Sequence, residues 1–390
     1  MARKVVAMEA KLLAVLSAQV PVSVSKLCAE LGISRQTFYK YRRRFVVEGP
    51  AGLVERSRRP HRSPQLIDAV LEDEILRLRK TRESDNGALA IHYQLVRQGR
   101  RHVPSVATVH RVLVRRGQVV PQPQKAPPSK GIRFEYPAPN GAWQIDATQW
   151  ALVDGQQVWI MDVLDDHSRL MIASLACHGP TGAAAWQAFC DGTTRWGLPA
   201  RVMSDNGRCF TARFLHLGGE ADFERDLRAL GVQHILSSPG HPQTCGKIER
   251  QHQTVKGWLN SQPPARSLPE LQHRLDDYLD HYNYQRPHSA LVGATPHERW
   301  SATPPDGPGP PIELAPNSAI RRVDPDGKLP WNGYVIGIGQ TLAGAELLII
   351  SRDHQLTIFG PTGLVERRTI DPTRRYQPSG RPPGRPKQPR

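Results

Sequence analysis

Three acidic residues in this chain have the type and spacing on which chemistry could be built: Asp146, Asp205 and Glu249. Asp146 interrupts the strand-like run Trp143-Gln144-Ile145-Asp146-Ala147-Thr148, where a charge between apolar neighbours is costly unless it binds something. Asp205 follows the short stretch from Arg201 to Ser204, at the carboxyl end of a candidate strand, where α/β sheets tend to build sites. Glu249 follows Gly246-Lys247-Ile248 in the first turn of a candidate helix, whose dipole favours a negative group. Two carboxylates about 4 Å apart repel by roughly 4 kcal/mol at an effective dielectric near 20, so three that converge need cations. Oxygen-only ligands select hard divalent ions, Mg²⁺ or Mn²⁺. A pair of such ions about 3.5–4 Å apart activates an attacking oxygen and stabilises a leaving one in displacement at phosphorus. That is the chemistry of nucleases and strand transfer. Each acid taken alone also fits a plainer role: a salt-bridged strand aspartate, an Asp-Asn-Gly turn, or a solvated Glu249–Arg250 pair.

The elements that must position these acids follow from the patterning. Strands are expected over Trp143 to Trp150, Gln157 to Leu164 and Leu170 to Cys177, with turns at Asp154-Gly155 and Asp165-Asp166-His167-Ser168. A helix from about Ala183 to Trp196 ends at Gly197 and Pro199. A fourth strand, Arg201 to Ser204, and a fifth, Val232 to Leu236, precede the helix of Glu249, which runs from Lys247 to Trp258. Strands that give way to alternating helix and strand make an α/β sheet. Asp162, Asp165 and Asp166 are read as structural acids. Glu220 and Glu224 are rivals for the third acidic position, but neither has a Gly-Lys entry. Thr148 and Asn206 stand beside Asp146 and Asp205 as supporting groups. Lys256, seven residues after Glu249, falls about 20° from the same helix face and could hold phosphate. Lys247, His241, Gln243 and His252 are further candidates for phosphate contacts, and His252 suits a structural role equally well.

The rest of the chain points to a polyanionic partner. Its 390 residues carry a net charge of +16, and no apolar run reaches the length of a membrane span, which favours nucleic acid over membrane. The five cysteines are scattered singly, which excludes a readable disulfide framework or Cys-x-x-Cys metal site and suits a cytoplasmic protein. Residues 8 to 48 read as helix, helix, turn, helix, with Gly32 in the turn and Ser34 as the N-cap of the third helix. In such a helix-turn-helix, Arg35, Gln36 and Tyr39 would read base edges, while Lys40, Arg42, Arg43 and Arg44 would take phosphates, followed by Arg58 and Arg59 in a basic connector. Residues 66 to 116 repeat the theme, with a third helix beginning at Ser105 and presenting Arg111, Arg115 and Arg116 to DNA or to solvent.

Proline-rich stretches divide the chain. The expected modules are a helix-turn-helix domain with its basic connector (1–63), a second helix-turn-helix domain (64–120), a linker (121–142), the α/β core (143–300), a second linker (301–317), a small antiparallel β-barrel (318–371) and a basic disordered tail (372–390). The tail contains two Gly-Arg-Pro triplets, built on Arg381 and Arg385, similar to the minor-groove core of AT-hook peptides; an electrostatic tether is the alternative.

The motifs Asp146-Ala147-Thr148, Ser204-Asp205-Asn206-Gly207 and His241-Pro242-Gln243-x-x-Gly246-Lys247-x-Glu249-Arg250 resemble the three acidic motifs of insertion-sequence DDE transposases with a retroviral-integrase-type catalytic core. The approach Arg133-Phe134-Glu135 through Pro139-Asn140 to Trp143 is similar too, so the resemblance covers roughly residues 133 to 300. It implies an RNase H-like fold, the triad Asp146, Asp205 and Glu249, and two Mg²⁺ ions per site, with Mn²⁺ able to substitute. It also implies double-stranded DNA partners, both terminal inverted repeats and target, a homo-oligomer in the DNA complex, and a bacterial setting at the nucleoid. The chain departs from the pattern in the interval from Asp205 to Glu249: 43 residues, 206 to 248, lie between them, longer than in many members. An insertion around Leu217 to Arg228 would account for the excess as added surface.

Overall fold

The computed structural model describes residues 23–54, 56, 67–81, 86–120, 134–213, 219–237, 246–310, 314 and 316–379. The chain divides into two compact units, residues 1–68 and 69–390.

In the first unit, α1 (Val24–Glu30) and α2 (Arg35–Glu48) are joined by a turn in which Gly32 takes a φ of +61°. Ser34 caps α2, its hydroxyl accepting from the Thr37 N–H at 3.1 Å. Cys28 and Phe38 form the small core between them. The expected helix before Ser23 lies outside the described residues.

The second unit begins with α3 (Ala69–Thr81), α4 (Ala88–Arg97) and α5 (Val106–Arg115), the three helices read from the sequence. Ser105 caps α5 from the Thr108 N–H. Ile75, Ile91, Leu95, Val109, Val112 and Leu113 are buried, one face from each helix.

A five-stranded sheet follows: β1 (Trp143–Ala151), β2 (Gln157–Asp165), β3 (Met171–Cys177), β4 (Arg201–Ser204) and β5 (Gln233–Leu236), in the order β3-β2-β1-β4-β5. The first three strands are antiparallel, and β4 and β5 run parallel to β1. On one face lie α6 (Gly182–Trp196) and α7 (Asp222–Ala229), whose Trp186, Phe189, Phe223 and Leu227 pack on Trp143, Ile145, Met161 and Val163. On the other lie α8 (Gly246–Asn260) and α9 (Leu268–Asp280), whose Ile248, Val255, Leu271, Leu275 and Tyr278 pack on Val158, Ile160 and Leu164. The result is a mixed sheet between two helical layers. A last helix, α10 (Pro296–Ser301), starts at a capping box formed by Thr295 and Glu298.

Two segments differ from the sequence reading. Residues 134–142, read as the end of a linker, are knitted into the core: the Tyr136 N–H donates to Asp166, the Asn140 N–H donates to Asp165, and Asn140 is buried. The stretch around residues 217–228, expected to add surface only, contains α7, and Phe223 and Leu227 are fully buried. An eight-residue amphipathic helix gains more by covering the sheet than by standing in water.

The C-terminal strands are β6 (Ser318–Arg322), β7 (Lys328–Trp331), β8 (Tyr334–Gly337), β9 (Glu346–Arg352), β10 (Gln355–Gly360), β11 (Gly363–Thr369) and β12 (Tyr376–Gln377). They share one apolar core. The expected barrel is not closed among the described residues: the strands form a four-stranded sheet, β11-β10-β9-β6, and a three-stranded one, β12-β8-β7. Pro330, in the middle of β7, has no N–H to offer a further neighbour. The module sits against α6, where Phe359 meets Trp186 edge-to-face with ring centroids 5.8 Å apart. Arg352 reaches the fully buried Asp226 of α7.

Candidate active site

Side chains alternate across β1. Trp143 and Ile145 enter the layer under α6, so Gln144, Asp146 and Thr148 face α8. In the parallel pairing, Trp143 stands opposite Val202 and Gln144 opposite Met203. The same offset brings Asp146 level with Asp205, the first residue beyond β4. Glu249 lies in the first turn of α8. The three acids therefore meet on the α8 side of the sheet, and they sense one another. Burial pushes the Asp146 carboxyl up to about 6 against the Ala147 N–H, and the carboxylates of Asp205 and Glu249 push it the same way. Asp146 forms the floor, while Asp205 and Glu249 are exposed, so the site is open to a large substrate.

The acids do not form one ligand set among the described residues. Asp146 Oδ1 accepts from the Ala147 N–H and Asp205 Oδ1 from the Gly207 N–H, both at 2.8 Å. No three His, Cys, Asp or Glu side chains among the described residues are grouped to hold an ion. The donor chemistry still fits a hard divalent cation: three carboxylates supply only oxygen, and a cation beside Asp146 would oppose the burial that raises its carboxyl.

The rivals of Glu249 are otherwise engaged. Glu224 accepts from the backbone N–H groups of Ala212 and Ala221, and Glu220 pairs with Arg228. Behind Asp146, Asp162 is fully buried with one oxygen held by the Ser174 hydroxyl at 2.6 Å. Burial pushes its carboxyl up to about 7, and burial lowers His252 to about 4, so the imidazole is neutral near pH 7 and its contacts with Asp146 and Asp162 are not ion pairs. Lys256 stands on the same helix, half-buried, and its charge acts on both Asp162 and His252. Asn206 braces the ends of β4 and β5 by donating to the Ser237 carbonyl at 2.9 Å, and Thr148 is buried two residues beyond Asp146 on the same face.

Two expected DNA contacts are paired with acids, Lys247 half-buried and Arg115 exposed. Lys247 donates to the buried Asp166 carboxylate at 2.6 Å, and Arg115 joins Arg116 on Glu72 at 2.7 and 2.6 Å. The buried carboxylates pull these cations in because an unpaired buried charge is far costlier than a surface one. Arg111 remains exposed, its guanidinium near the Thr108 hydroxyl. In the first unit, Arg35, Gln36, Tyr39, Lys40, Arg43 and Arg44 line one concave basic surface on α2, with the half-buried Arg42 beside it. Arg58, Arg59, His241, Gln243, Arg381 and Arg385 lie outside the described residues. Sequence reading missed Gln144 and Asp166 as site-building groups. The signal was present for Gln144, a second polar residue two places from Asp146 in an apolar strand.

Comparison with known proteins matches the core and the N-terminal module. The family described as integrase core domain matches residues 137–242 and again 230–296, and winged helix-turn helix matches residues 10–73. The chain is 28% identical over 164 residues to an uncharacterized 39.2 kDa protein of insertion element IS476 from Xanthomonas euvesicatoria. It is 25% identical over 331 residues to the transposase for transposon Tn552 from Staphylococcus aureus. The chain is thus similar to insertion-sequence transposases, and residues 137–296 match the integrase core domain. The alignments cover 42% and 72% of this chain, and the chain spans 45% and 64% of those two relatives' own length. Among solved structures, the HTLV-2 integrase catalytic core domain in complex with magnesium aligns with 42% of this chain and 97% of its own, at 19% identity and a TM-score of 0.33. The integrase-core matches coincide with the five-stranded sheet and α6 to α9, and the winged helix-turn-helix match covers the basic face of α2.

Proposed function

We propose that this chain is a DNA transposase whose N-terminal helical modules bind the terminal inverted repeats of a mobile element, and whose integrase core cleaves the 3′ ends and joins them to target DNA. The observation that supports this most is the meeting of Asp146, Asp205 and Glu249 on one side of the sheet, each within electrostatic reach of Asp146. Those three residues would hold two Mg²⁺ ions, for which Mn²⁺ substitutes. When bound, such a pair supplies activation of the attacking oxygen and stabilisation of the leaving one. The chain's own groups do the rest. The carboxylates fix the cation positions, and Lys256 takes a DNA phosphate beside them. Arg35 and Gln36 reach base edges from the first turn of α2, while Lys40 and Arg43 take phosphates. Joining two ends of one element calls for two copies of the site, so the working form is a homo-oligomer on DNA, acting at the nucleoid.

The test is a joining assay with the full chain, Mg²⁺ and duplexes that carry the element's ends. Asp146→Asn, Asp205→Asn and Glu249→Gln are each expected to lose on the order of 10³-fold in nicking and joining, the equivalent of several kcal/mol of transition-state stabilisation. Wild-type joining by all three variants ends the proposal. Sequence-specific binding by the wild-type chain with no metal-dependent nicking makes it a DNA-binding regulator instead.

A further inference from the structure

Glu249 belongs to α8, and the position of α8 against β1 decides where that carboxylate stands. The first N–H groups of a helix have no partner within it. In α8 the Ile248 N–H is taken by the Gln144 side-chain oxygen at 3.1 Å. Gln144 is buried and shares a face of β1 with Asp146, two residues on. Its amide nitrogen donates at 2.9 Å to Asp166 Oδ1, and the same oxygen receives the Lys247 ammonium at 2.6 Å. Asp166, only 1% exposed, is fixed in turn by the Tyr136 N–H on its other oxygen at 2.9 Å. Both residues that immediately precede Glu249 are therefore fastened: Lys247 to the end of the β2–β3 hairpin and Ile248 to β1.

We propose that Gln144, Asp166 and Lys247 form a positioning clasp that sets where Glu249 stands relative to Asp146. The clasp rests on the reading of the three acids as a divalent-cation site, and it makes a prediction opposite in sign to simple electrostatics. Removing a positive charge near an acidic site strengthens its hold on a cation. Removing a clasp weakens that hold, by roughly 10- to 100-fold where groups that orient metal ligands are lost.

The experiment measures Mn²⁺ binding to the full chain by electron paramagnetic resonance, together with hydrogen exchange at the Ile248 amide. The variants are Lys247→Met, Lys247→Arg and Gln144→Met. The expected result for Lys247→Met and Gln144→Met is Mn²⁺ affinity lowered roughly 10- to 100-fold and faster exchange at Ile248, with recovery towards wild type in Lys247→Arg. Mn²⁺ binding unchanged or tighter in Lys247→Met overturns the clasp. So does a loss of DNA affinity alone, which would make Lys247 a phosphate contact. Gln144→Met changes no charge and gives the same readings should Lys247→Met fail to fold. Asp146→Asn and Glu249→Gln are the controls for the site itself. If the wild-type chain binds no Mn²⁺ that these controls abolish, the metal-site reading falls, and the clasp stands or falls on the Ile248 exchange alone.

Discussion

Asp146 stands directly across the β1–β2 ladder from Asp162, with the His252 imidazole reaching towards both. Its Nδ1 lies 3.8 Å from Asp146 Oδ2, and its Nε2 lies 3.6 Å from Asp162 Oδ2. His252 Nε2 and Asp162 Oδ2 are both buried without a hydrogen-bond partner. A neutral imidazole has one N–H, so it can serve only one of the two carboxyl groups at a time. His252→Leu keeps the packing and removes that choice. The expected outcome is a folded protein whose joining rate falls about 10- to 100-fold at low Mg²⁺ and recovers as Mg²⁺ is raised. An unchanged Mg²⁺ titration would remove His252 from the site.

The second helical module is held to the core by a close approach at Gly293. That residue has a φ of +89°, and a Cβ built on it would lie 2.4 Å from the Tyr93 ring of α4. Arg97 of α4 adds two hydrogen bonds to Glu298 at 2.9 Å. Gly293→Ala meets both backbone strain and a filled space, and should lower stability by about 1–3 kcal/mol in urea denaturation. Faster hydrogen exchange across Ala88–Arg97 would locate the loss. Glu298→Gln, at a half-exposed pair, should cost on the order of 1 kcal/mol or less.

The C-terminal module hangs on Arg352 and Asp226. Asp226 is fully buried, and burial pushes its carboxyl up to about 6 although the Arg352 guanidinium pulls it down. Arg352→Met leaves that carboxyl with only the Arg225 guanidinium, 4.0 Å away, and should cost up to about 3–5 kcal/mol near neutral pH. A folded-state value above the unfolded 3.8 contributes stability that is fully present below 3.8 and is lost as pH rises through about 6. Without Arg352 the shift grows, so the deficit of Arg352→Met should be smaller at pH 5 than at pH 8. Equal deficits at both values, in thermal or urea unfolding, would contradict the pairing. Double substitution with Asp226→Leu should recover much of the loss.

On α2, Gln36 and Lys40 should separate by the kind of contact they make. Gln36→Ala is expected to weaken binding to the cognate end by about 1–3 kcal/mol and to leave non-specific duplex almost unaffected. Lys40→Ala should weaken both alike and reduce the slope of log affinity against log salt by about 1. Fluorescence anisotropy at three salt concentrations distinguishes the two. A uniform loss for Gln36→Ala would move base reading elsewhere on the helix.

Much of this was legible in the residues themselves. The alternation in Trp143-Gln144-Ile145-Asp146 determines that Gln144 and Asp146 share a face, because strand side chains have a period of two. Ser34 and Ser105 mark the starts of α2 and α5 by a local hydrogen bond three residues long, which needs no tertiary partner. The run Arg201 to Ser204 was short and followed by Asp205, and it is β4 residue for residue. Only the tertiary structure decided which cations are paired with acids. Lys247 lies 81 residues from Asp166, and Arg115 lies 43 from Glu72, so no local pattern reveals that either cation is claimed from within. The same holds for Phe223 and Leu227, which become core because the sheet offers α7 an apolar face, and for the C-terminal strands, whose pairing leaves two sheets where spacing alone suggested one barrel. Local hydrogen bonds and periodicity are written within a few residues; the burial of a charge depends on what the fold brings to it.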